Sequence, residues 1–192
     1  MFGFSVITSF LHTYRYIAIF ILMALESASF PIPSEIVLPL TGLLSYQGYL
    51  NPYLVVAVSI VAAIAGMAAD YYLAYIFGKE IVYKHLHFFH VKRSTLDKLD
   101  EWFAENGNFA VFISRLLPIV RGPISFTAGF AIMDQKNFFL YSIAGTVIWD
   151  VLLVAIGYYA LSTSLGIEII TILSVVALLG YLIYAVGFRR RK

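Results

Sequence analysis

Six ionisable side chains lie within strongly apolar stretches of this sequence, and their types are the ones that could do chemistry there. They are Glu26, Glu35, Asp70, Arg115, Arg121 and Asp150. A charge near the centre of a bilayer costs at least about 2.5–3.5 kcal/mol, so such a group usually lines a cavity, pairs with an opposite charge or changes its protonation. These six are therefore the candidate functional residues. For Glu26, Glu35, Arg115 and Arg121 the alternative role is a structural ion pair that fixes the two hairpins together, and Asp70 could instead reach the membrane interface.

The two arginines lie six positions apart across Pro118, a spacing suited to binding an anionic group. A guanidinium stays charged and offers planar, forked donors to phosphate. A carboxyl group can titrate instead, because burial favours its neutral form and a nearby guanidinium favours its charged form. We therefore predict that Arg115 and Arg121 bind a phosphate. The predicted proton-titrating or coupling residues are Glu26, Glu35, Asp70 and Asp150.

The composition places these residues in a membrane. Of the 192 residues, 61% are hydrophobic and 12% are charged, against roughly 45–50% apolar and 25% charged in a soluble domain. Positions 36–69 and 169–188 carry no formal charge, and about 20 apolar residues suffice to cross a bilayer. With 13 Lys and Arg, 11 Asp and Glu and no cysteine, the chain is not expected to bind nucleic acid, form disulfides or use thiolate chemistry.

Two apolar stretches are interrupted by proline and glycine and cannot be straight helices. The first, 30–46, contains Pro31, Pro33, Pro39 and Gly42, and the second, 109–133, contains Pro118, Pro123 and Gly129. Proline removes an N–H donor and clashes with the preceding turn. Broken backbone at membrane depth is tolerated only where protein or a water-filled cavity satisfies it. We interpret both stretches as re-entrant helical hairpins shaped by these seven residues.

The rest of the chain supplies conventional helices. We predict membrane helices at about 11–27, 52–77, 138–163 and 167–188, and an amphipathic interfacial segment at 79–107 that ends at Asn106 and Gly107. The fold class is thus an all-α integral membrane protein, with about four transmembrane or interfacial helices and two opposed re-entrant hairpins. We treat residues 1–192 as a single membrane domain.

A weak internal repeat relates the two halves of this domain. Pro31 and Gly42 match Pro118 and Gly129 at an offset of 87 positions, which gives repeats at about 11–77 and 109–163. If both termini are cytoplasmic and the hairpins enter from opposite faces, every lysine and arginine outside the second hairpin lies on the cytoplasmic side, as the positive-inside rule requires. The plan is that of an inverted repeat, which builds transporter sites at the bilayer midplane. We therefore expect a multi-pass protein of the cell membrane.

Three groups of residues together resemble the DedA family of membrane proteins over about residues 20–160. The groups are Glu26-Ser-Ala-Ser-Phe-Pro31-Ile-Pro33-Ser34-Glu35 with Pro39 and Gly42; Phe112-Ile-Ser-Arg115-Leu-Leu-Pro118-Ile-Val-Arg121 with Ala128-Gly129; and Gly145, Trp149 and Gly157-Tyr158. The resemblance implies opposed re-entrant hairpins and lipid translocation, of polyprenyl phosphate or of phospholipids. It also implies that Glu26, Glu35, Arg115 and Arg121 are the essential positions. Asp70 follows an alanine where the family usually has Gly-Asp, so it lies outside the match.

Two other functions remain open on the residues alone: a small ion or proton exchanger, and a membrane-embedded lipid-phosphate enzyme. Ser114-Arg115 is followed, at the position where a lipid phosphatase would have its histidine nucleophile, by Arg121, which favours transport. His85, His87 and His90 lack the spacing of a helical metal pair, so we predict neither a metal nor a cofactor. The expected partners are membrane lipids and H⁺ or Na⁺. The chain could act alone or as a homodimer.

Overall fold

A computed structural model describes residues 2–78, 93–118 and 120–160, and within these ranges the regular structure is entirely helical. The α-helices are α1 (Phe2–Ser27), α2 (Ser34–Tyr46), α3 (Pro52–Leu73), α4 (Arg93–Arg115), α5 (Pro123–Phe130) and α6 (Gln135–Ala155). Two π-helices extend α3 and α6 and are called π1 (Ala74–Gly78) and π2 (Ile156–Ala160). Residues 79–92 of the interfacial segment predicted at 79–107, and the C-terminal helix predicted at 167–188, lie outside the described residues.

Two helices in the described part of the chain are long and apolar enough to cross a membrane. They are Pro52–Phe77, with 26 residues, and Gln135–Tyr159, with 25 residues, or nearly 40 Å each at about 1.5 Å per residue. Both begin at a side-chain cap: Asn51 Oδ1 accepts from the Tyr53 and Leu54 N–H groups, and Asp134 from the Asn137 N–H. They agree with the spans predicted at 52–77 and 138–163, except that the second begins three residues earlier.

The two short helices, α2 and α5, follow breaks in the chain that contain the predicted prolines. Pro33 is extended (φ −78°, ψ 104°) and precedes α2, while Pro123 begins α5. With 13 and 8 residues, these helices are about 20 and 12 Å long, too short to cross roughly 30 Å of hydrocarbon. One expectation needs correction, because Pro39 lies inside α2 and does not interrupt it.

The predicted helix end at Asn106 and Gly107 is also corrected. Helix α4 continues through both residues to Arg115, so one helix joins the end of the predicted interfacial segment to the start of the second predicted hairpin. A glycine costs a helix only about 1 kcal/mol relative to alanine. The helix can continue through Gly107 because its surroundings pack closely there. A Cβ at Gly107 would lie 2.8 Å from the Phe103 ring and 3.6 Å from the Met133 sulfur.

Helix α1 begins at Phe2, earlier than the predicted position 11, and has a kink at Arg15 (φ 47°, ψ −118°). It packs along α3, as α4 packs along α6. At Gly66 of α3 a Cβ would collide with the Ala24 carbonyl oxygen of α1 and lie 2.9 Å from the Ala28 nitrogen. The glycine therefore allows the two helices into backbone contact just where α1 ends.

Each short helix packs mainly against the long helix of the other half. We call residues 2–78 the N-terminal half and residues 93–160 the C-terminal half. Helix α2 lies against α6 and π2, and α5 lies against α3 and π1. Glycines make both contacts close: a Cβ at Gly42 would collide with the Val154 carbonyl, and a Cβ at Gly129 with the Tyr71 carbonyl. Gly42 and Gly129, which matched in the repeat, therefore both allow a short helix to approach the backbone of a long helix.

The apolar core divides into two clusters along this arrangement. One joins α1, α2 and the first part of α3 to Leu153 and Val154 of α6. The other joins the second part of α3 to α4, α5 and Phe138. In the second cluster Tyr71 stacks on Phe138, with ring centroids 4.5 Å apart, and donates its hydroxyl to the Met133 carbonyl. The polar site described next lies among the buried residues of α1, α2, α4, α5 and α6.

Candidate functional site

The Arg121 side chain is the hub of a buried polar cluster. It is only 2% exposed and projects from the turn between α4 and α5. Its Nε lies 2.9 Å from Glu26 Oε1, its Nη1 donates to Ser34 Oγ at 3.0 Å, and its Nη2 lies 3.7 Å from Asp150 Oδ1. One guanidinium thus connects the end of α1, the start of α2 and the middle of α6.

The turns that carry this cluster fit closely against one another. Glu26 lies in the last turn of α1 and also accepts the Ser27 hydroxyl at 3.1 Å. Ser29 adopts a left-handed conformation (φ 61°), which reverses the chain before α2. A Cβ at Gly122 would lie 3.1 Å from Ser29 Cα and 3.4 Å from the Glu26 carbonyl oxygen. Glycine at 122 therefore lets the Arg121 turn approach the Glu26 turn closely enough for the ion pair.

The Arg115 side chain is fully buried and binds protein groups rather than a carboxylate. Its Nη1 donates to the Arg121 carbonyl at 2.7 Å, and its Nη2 to Ser125 Oγ at 2.6 Å and Ser142 Oγ at 3.3 Å. Gly145 of α6 makes room, since a Cβ there would lie 2.6 Å from Arg115 Cβ. The two guanidinium groups therefore do not face a common site. Arg115 stabilises the turn from which Arg121 projects.

Ser34 and Trp149 shape the other side of the Arg121 guanidinium. The guanidinium carbon lies 5.6 Å from the centre of the Trp149 ring, within cation–π range. The indole Nε1 also donates to Ser34 Oγ, at 3.5 Å. Ser34 is the first residue of α2, and the first N–H groups of a helix together with its dipole favour an anion. The donors around this hydroxyl therefore point to a region that suits negative charge.

The other two predicted carboxyls lie at the edge of the cluster. Glu35 is half-buried, follows Ser34 in the first turn of α2, and has no ion pair within the described ranges. Asp70 of α3 is half-buried and accepts the Ser29 hydroxyl. The structure thus brings Glu26, Arg121 and Asp150 together as an ion-pair network. It places Glu35 and Asp70 beside that network, outside its direct contacts.

Asp150 is completely buried, and neither of its oxygens makes a close hydrogen bond among the described residues; Ser59 and Arg121 are the polar side chains beside it. Its separation from Arg121, 3.7 Å, is an ion-pair distance longer than a hydrogen bond. With both arginines charged, Glu26 and Asp150 bring the buried cluster to formal neutrality. An anion arriving at Arg121 must therefore compete with these two carboxylates, or find one of them neutralised.

Five side chains of the cluster were not predicted as site residues. They are Ser27, Ser34, Ser125, Ser142 and Trp149. The four serines offered one signal, since a small hydroxyl in an apolar helix often finds a buried partner, but that signal does not name the partner. Within the ranges that the structure describes, no group of three or more metal-binding side chains occurs. The histidines at 85, 87 and 90 lie outside those ranges.

The comparison with family models decides what kind of chain carries this cluster. The model described as the VTT domain matches residues 32–159, a range that contains every residue of the cluster apart from Glu26 and Ser27. The chain belongs to the VTT-domain family. It is thus a membrane protein of the family that includes DedA, and the resemblance noted in the sequence is confirmed.

The relatives of this VTT-domain chain carry different names. Undecaprenyl phosphate transporter A of Staphylococcus aureus is 31% identical over 200 residues, covering 97% of this chain and 98% of the relative. An alkaline phosphatase-like protein of Lactococcus lactis is 24% identical over 200 residues, covering 94% and 91%. Protein DedA of Escherichia coli is 30% identical over 110 residues, covering 57% and 50%. No solved structure matches the chain significantly.

Proposed function

We propose that this VTT-domain protein moves a phosphate-bearing lipid, such as a polyprenyl phosphate or a phospholipid, across the membrane. The observation that carries the proposal is the Arg121 guanidinium, buried in a membrane protein and surrounded by partners that an anion can replace. Undecaprenyl phosphate transporter A, similar to this chain over nearly its whole length, supports a polyprenyl phosphate as the lipid.

In this proposal Arg121 and the start of α2 receive the phosphate together. The planar donors of Arg121 and the Ser34 hydroxyl would face the phosphate oxygens, and the positive end of the α2 dipole would add to them. Arg115 has the role of a positioning residue, because its guanidinium holds the Arg121 carbonyl and makes no contact with the α2 terminus. The sequence assigned phosphate binding to both arginines. In this proposal Arg121 binds the phosphate and Arg115 positions Arg121.

Coupling to protons or sodium would act through the carboxyls. Phosphate competes with Glu26 and Asp150 for Arg121, so neutralising either carboxyl favours the phosphate-bound state. Glu35 and Asp70 are half-buried, so water can reach them and exchange protons with them. All four carboxyls therefore keep their proposed role in coupling, with Glu26 and Asp150 closest to the phosphate.

We also propose how the domain lies in the membrane. Residues 1–192 would form one domain of the cell membrane, with repeats at 11–77 and 109–163, hairpins at 30–46 and 109–133 entering from opposite faces, and both termini in the cytoplasm. The short lengths of α2 and α5 and the exchange of their packing partners between the halves support this plan. The distribution of lysine and arginine supports the orientation.

The test is a flipping assay in liposomes that contain the purified protein and a fluorescent polyprenyl phosphate. A soluble phosphatase added outside hydrolyses the outer leaflet, so hydrolysis should proceed from about half of the label to all of it only when the protein returns lipid from the inner leaflet. Release of phosphate without added phosphatase would identify an enzyme instead. Ion flux without lipid movement would identify an exchanger. Arg121→Lys should abolish flipping, and Thr41→Val, a buried change on α2 outside the cluster, should preserve it.

A further inference from the structure

Next to Arg121 lie buried oxygen atoms that no group satisfies. Both carboxylate oxygens of Asp150 and the hydroxyl of Thr146 lack a hydrogen-bond partner within the described chain, at 0% and 1% exposure. Buried polar groups are nearly always paired, because leaving them unpaired forfeits the free energy of their hydration. Arg121 Nη2 is unsatisfied as well, because at 3.7 Å it is too far from Asp150 Oδ1 for a hydrogen bond. The unsatisfied oxygens of Asp150 and Thr146 therefore point to a bound species that contacts them.

The three oxygens come from one face of α6, and a fourth faces them from α3. Thr146 and Asp150 are four residues apart on a helix and so lie one above the other. Ser59 of α3 is fully buried and lies beside the Asp150 carboxylate, within reach of a hydrogen bond to it. Its hydroxyl also donates to the Val56 carbonyl at 2.9 Å, and when it does so its oxygen lone pairs are open to another partner. The oxygens of Asp150, Thr146 and Ser59 can all act as cation ligands, and the nearest charged donor, Arg121 Nη2, lies 3.7 Å from Asp150 Oδ1.

We propose that Asp150, Thr146 and Ser59 bind a monovalent metal cation, Na⁺, between α3 and α6. Carboxylate and hydroxyl oxygens are the ligands of hard cations. The site offers one carboxylate, which Arg121 already partly balances, so it lacks the negative charge that protein sites for Ca²⁺ or Mg²⁺ normally supply.

This inference rests on the proposed function for its consequence at Arg121. A cation on Asp150 replaces the Arg121 Nη2 as the partner of that carboxylate. The guanidinium then loses one of its two anionic neighbours and binds a phosphate more tightly. Because linkage is reciprocal, a bound phosphate raises the affinity for Na⁺ by the same factor. The site would therefore couple the cation to the lipid phosphate through one shared carboxylate.

The first experiment measures cation binding by thermal unfolding of the full-length protein in detergent, at fixed pH and ionic strength. Na⁺ should raise the melting temperature in a saturable way relative to N-methylglucamine, and K⁺ should raise it less. Thr146→Val should abolish the Na⁺ effect and Thr146→Ser should retain it. Thr41→Val is the matched control: it makes the same substitution at an equally buried threonine whose hydroxyl already donates to the Leu38 carbonyl.

Several results would overturn the sodium site. One is an equal response to Na⁺ and N-methylglucamine; another is a Na⁺ response that Thr146→Val and Asp150→Asn both retain. A melting temperature that responds to pH and not to Na⁺ would mean that Asp150 takes a proton instead. If Asp150→Asn does not fold, the Thr146→Val and Thr146→Ser pair decides the matter, because these two variants differ in the hydroxyl and keep the charge.

The second experiment separates this inference from the proposed function by measuring equilibrium binding of a short-chain alkyl phosphate. Na⁺ should tighten that binding by a factor in the ordinary range of site coupling, about 5- to 150-fold, and Thr146→Val should remove the increase. Alkyl phosphate binding that is independent of Na⁺ would overturn the coupling and leave the proposed function standing. Na⁺ stabilisation without any alkyl phosphate binding would overturn the proposed function and leave the cation site standing.

Discussion

Arg115 and Arg121 are the same residue type in the same turn region, but their surroundings predict different consequences for the same substitution. Lysine keeps the charge and loses the planar fork. Arg121→Lys should lower alkyl phosphate binding strongly, and the charge that lysine keeps beside Glu26 and Asp150 should limit the fall in melting temperature. Arg115→Lys should mainly lower stability, because it loses hydrogen bonds between helices, each worth about 0.6–1.7 kcal/mol in membrane proteins. Binding titrations and thermal unfolding of the two variants check this, and the reverse assignment of effects would contradict it.

Glu26 and Glu35 lie on either side of the turn between α1 and α2. Replacing each of them tests whether its role is structural or in coupling. Glu26 is buried and paired with Arg121, and breaking a buried pair costs about 3–5 kcal/mol. Glu35 is half-buried with no ion pair in the described chain, so its neutral replacement should change stability by less than about 0.5 kcal/mol. We expect Glu26→Gln to lower the melting temperature and Glu35→Gln to leave it nearly unchanged.

Transport measurements on the same two variants complete the test. If either glutamate exchanges a proton in the cycle, its glutamine variant should bind alkyl phosphate at least as tightly as the native protein and fail to transport. Variants that transport with an unchanged pH dependence would show that protons couple elsewhere. A stable Glu26→Gln protein would show that the Arg121 pair contributes little to the fold.

The sequence could locate the charged residues of the site but could not assign their partners. Arg121 and Asp150 were conspicuous because a charge inside an apolar run demands an explanation. Ser125 and Ser142 were not, because a serine in a membrane helix is common and its partner here, Arg115, is 10 and 27 positions away. Which arginine meets a carboxylate depends on how distant helices pack, and residue type and spacing carry no information on that.

At the scale of the helices, the close contact of α2 with α6 and π2 at Gly42 can be tested by adding a single methyl group. Gly42→Ala should destabilise the protein by about 1–3 kcal/mol, as overpacking does, because its Cβ meets backbone atoms of Val154, Gly157 and Tyr158 that cannot move aside separately. Gly107→Ala is the control, since its Cβ meets a Phe103 ring that can rotate. That change should stay within about 1 kcal/mol, and thermal unfolding of both variants measures the contrast.

Helix boundaries show why local rules succeeded at some positions and failed at others. Pro33 and Pro123 stand at helix starts, where proline is compatible with the helix and local chemistry suffices. Pro39 and Gly107 lie inside helices, although each was predicted to interrupt or end one. At those two positions tertiary packing determines that the helix continues, because Gly157 packs on the Pro39 backbone and Phe103 lies against Gly107.

For the whole molecule, the orientation can be tested by labelling, since the chain has no cysteine. The positive-inside rule places position 92 in the cytoplasm and position 51 outside. Asn51→Cys and Lys92→Cys should therefore react with a membrane-impermeant maleimide from opposite sides of the membrane. Labelling of both from the same side would contradict the opposed hairpins and the inverted repeat, while leaving the arrangement of helices within the fold intact.

The exchange of short helices between the halves has a consequence for chain connectivity. Because α2 rests on α6 and α5 rests on α3, each half has a long-helix face that the short helix of the other half covers. A gene divided within the codons for 79–92 should therefore yield two fragments that are degraded when expressed singly and are recovered as a pair when expressed together. Co-purification through a tag on one fragment tests this, and a fragment that is stable by itself would show that the halves are not interlocked.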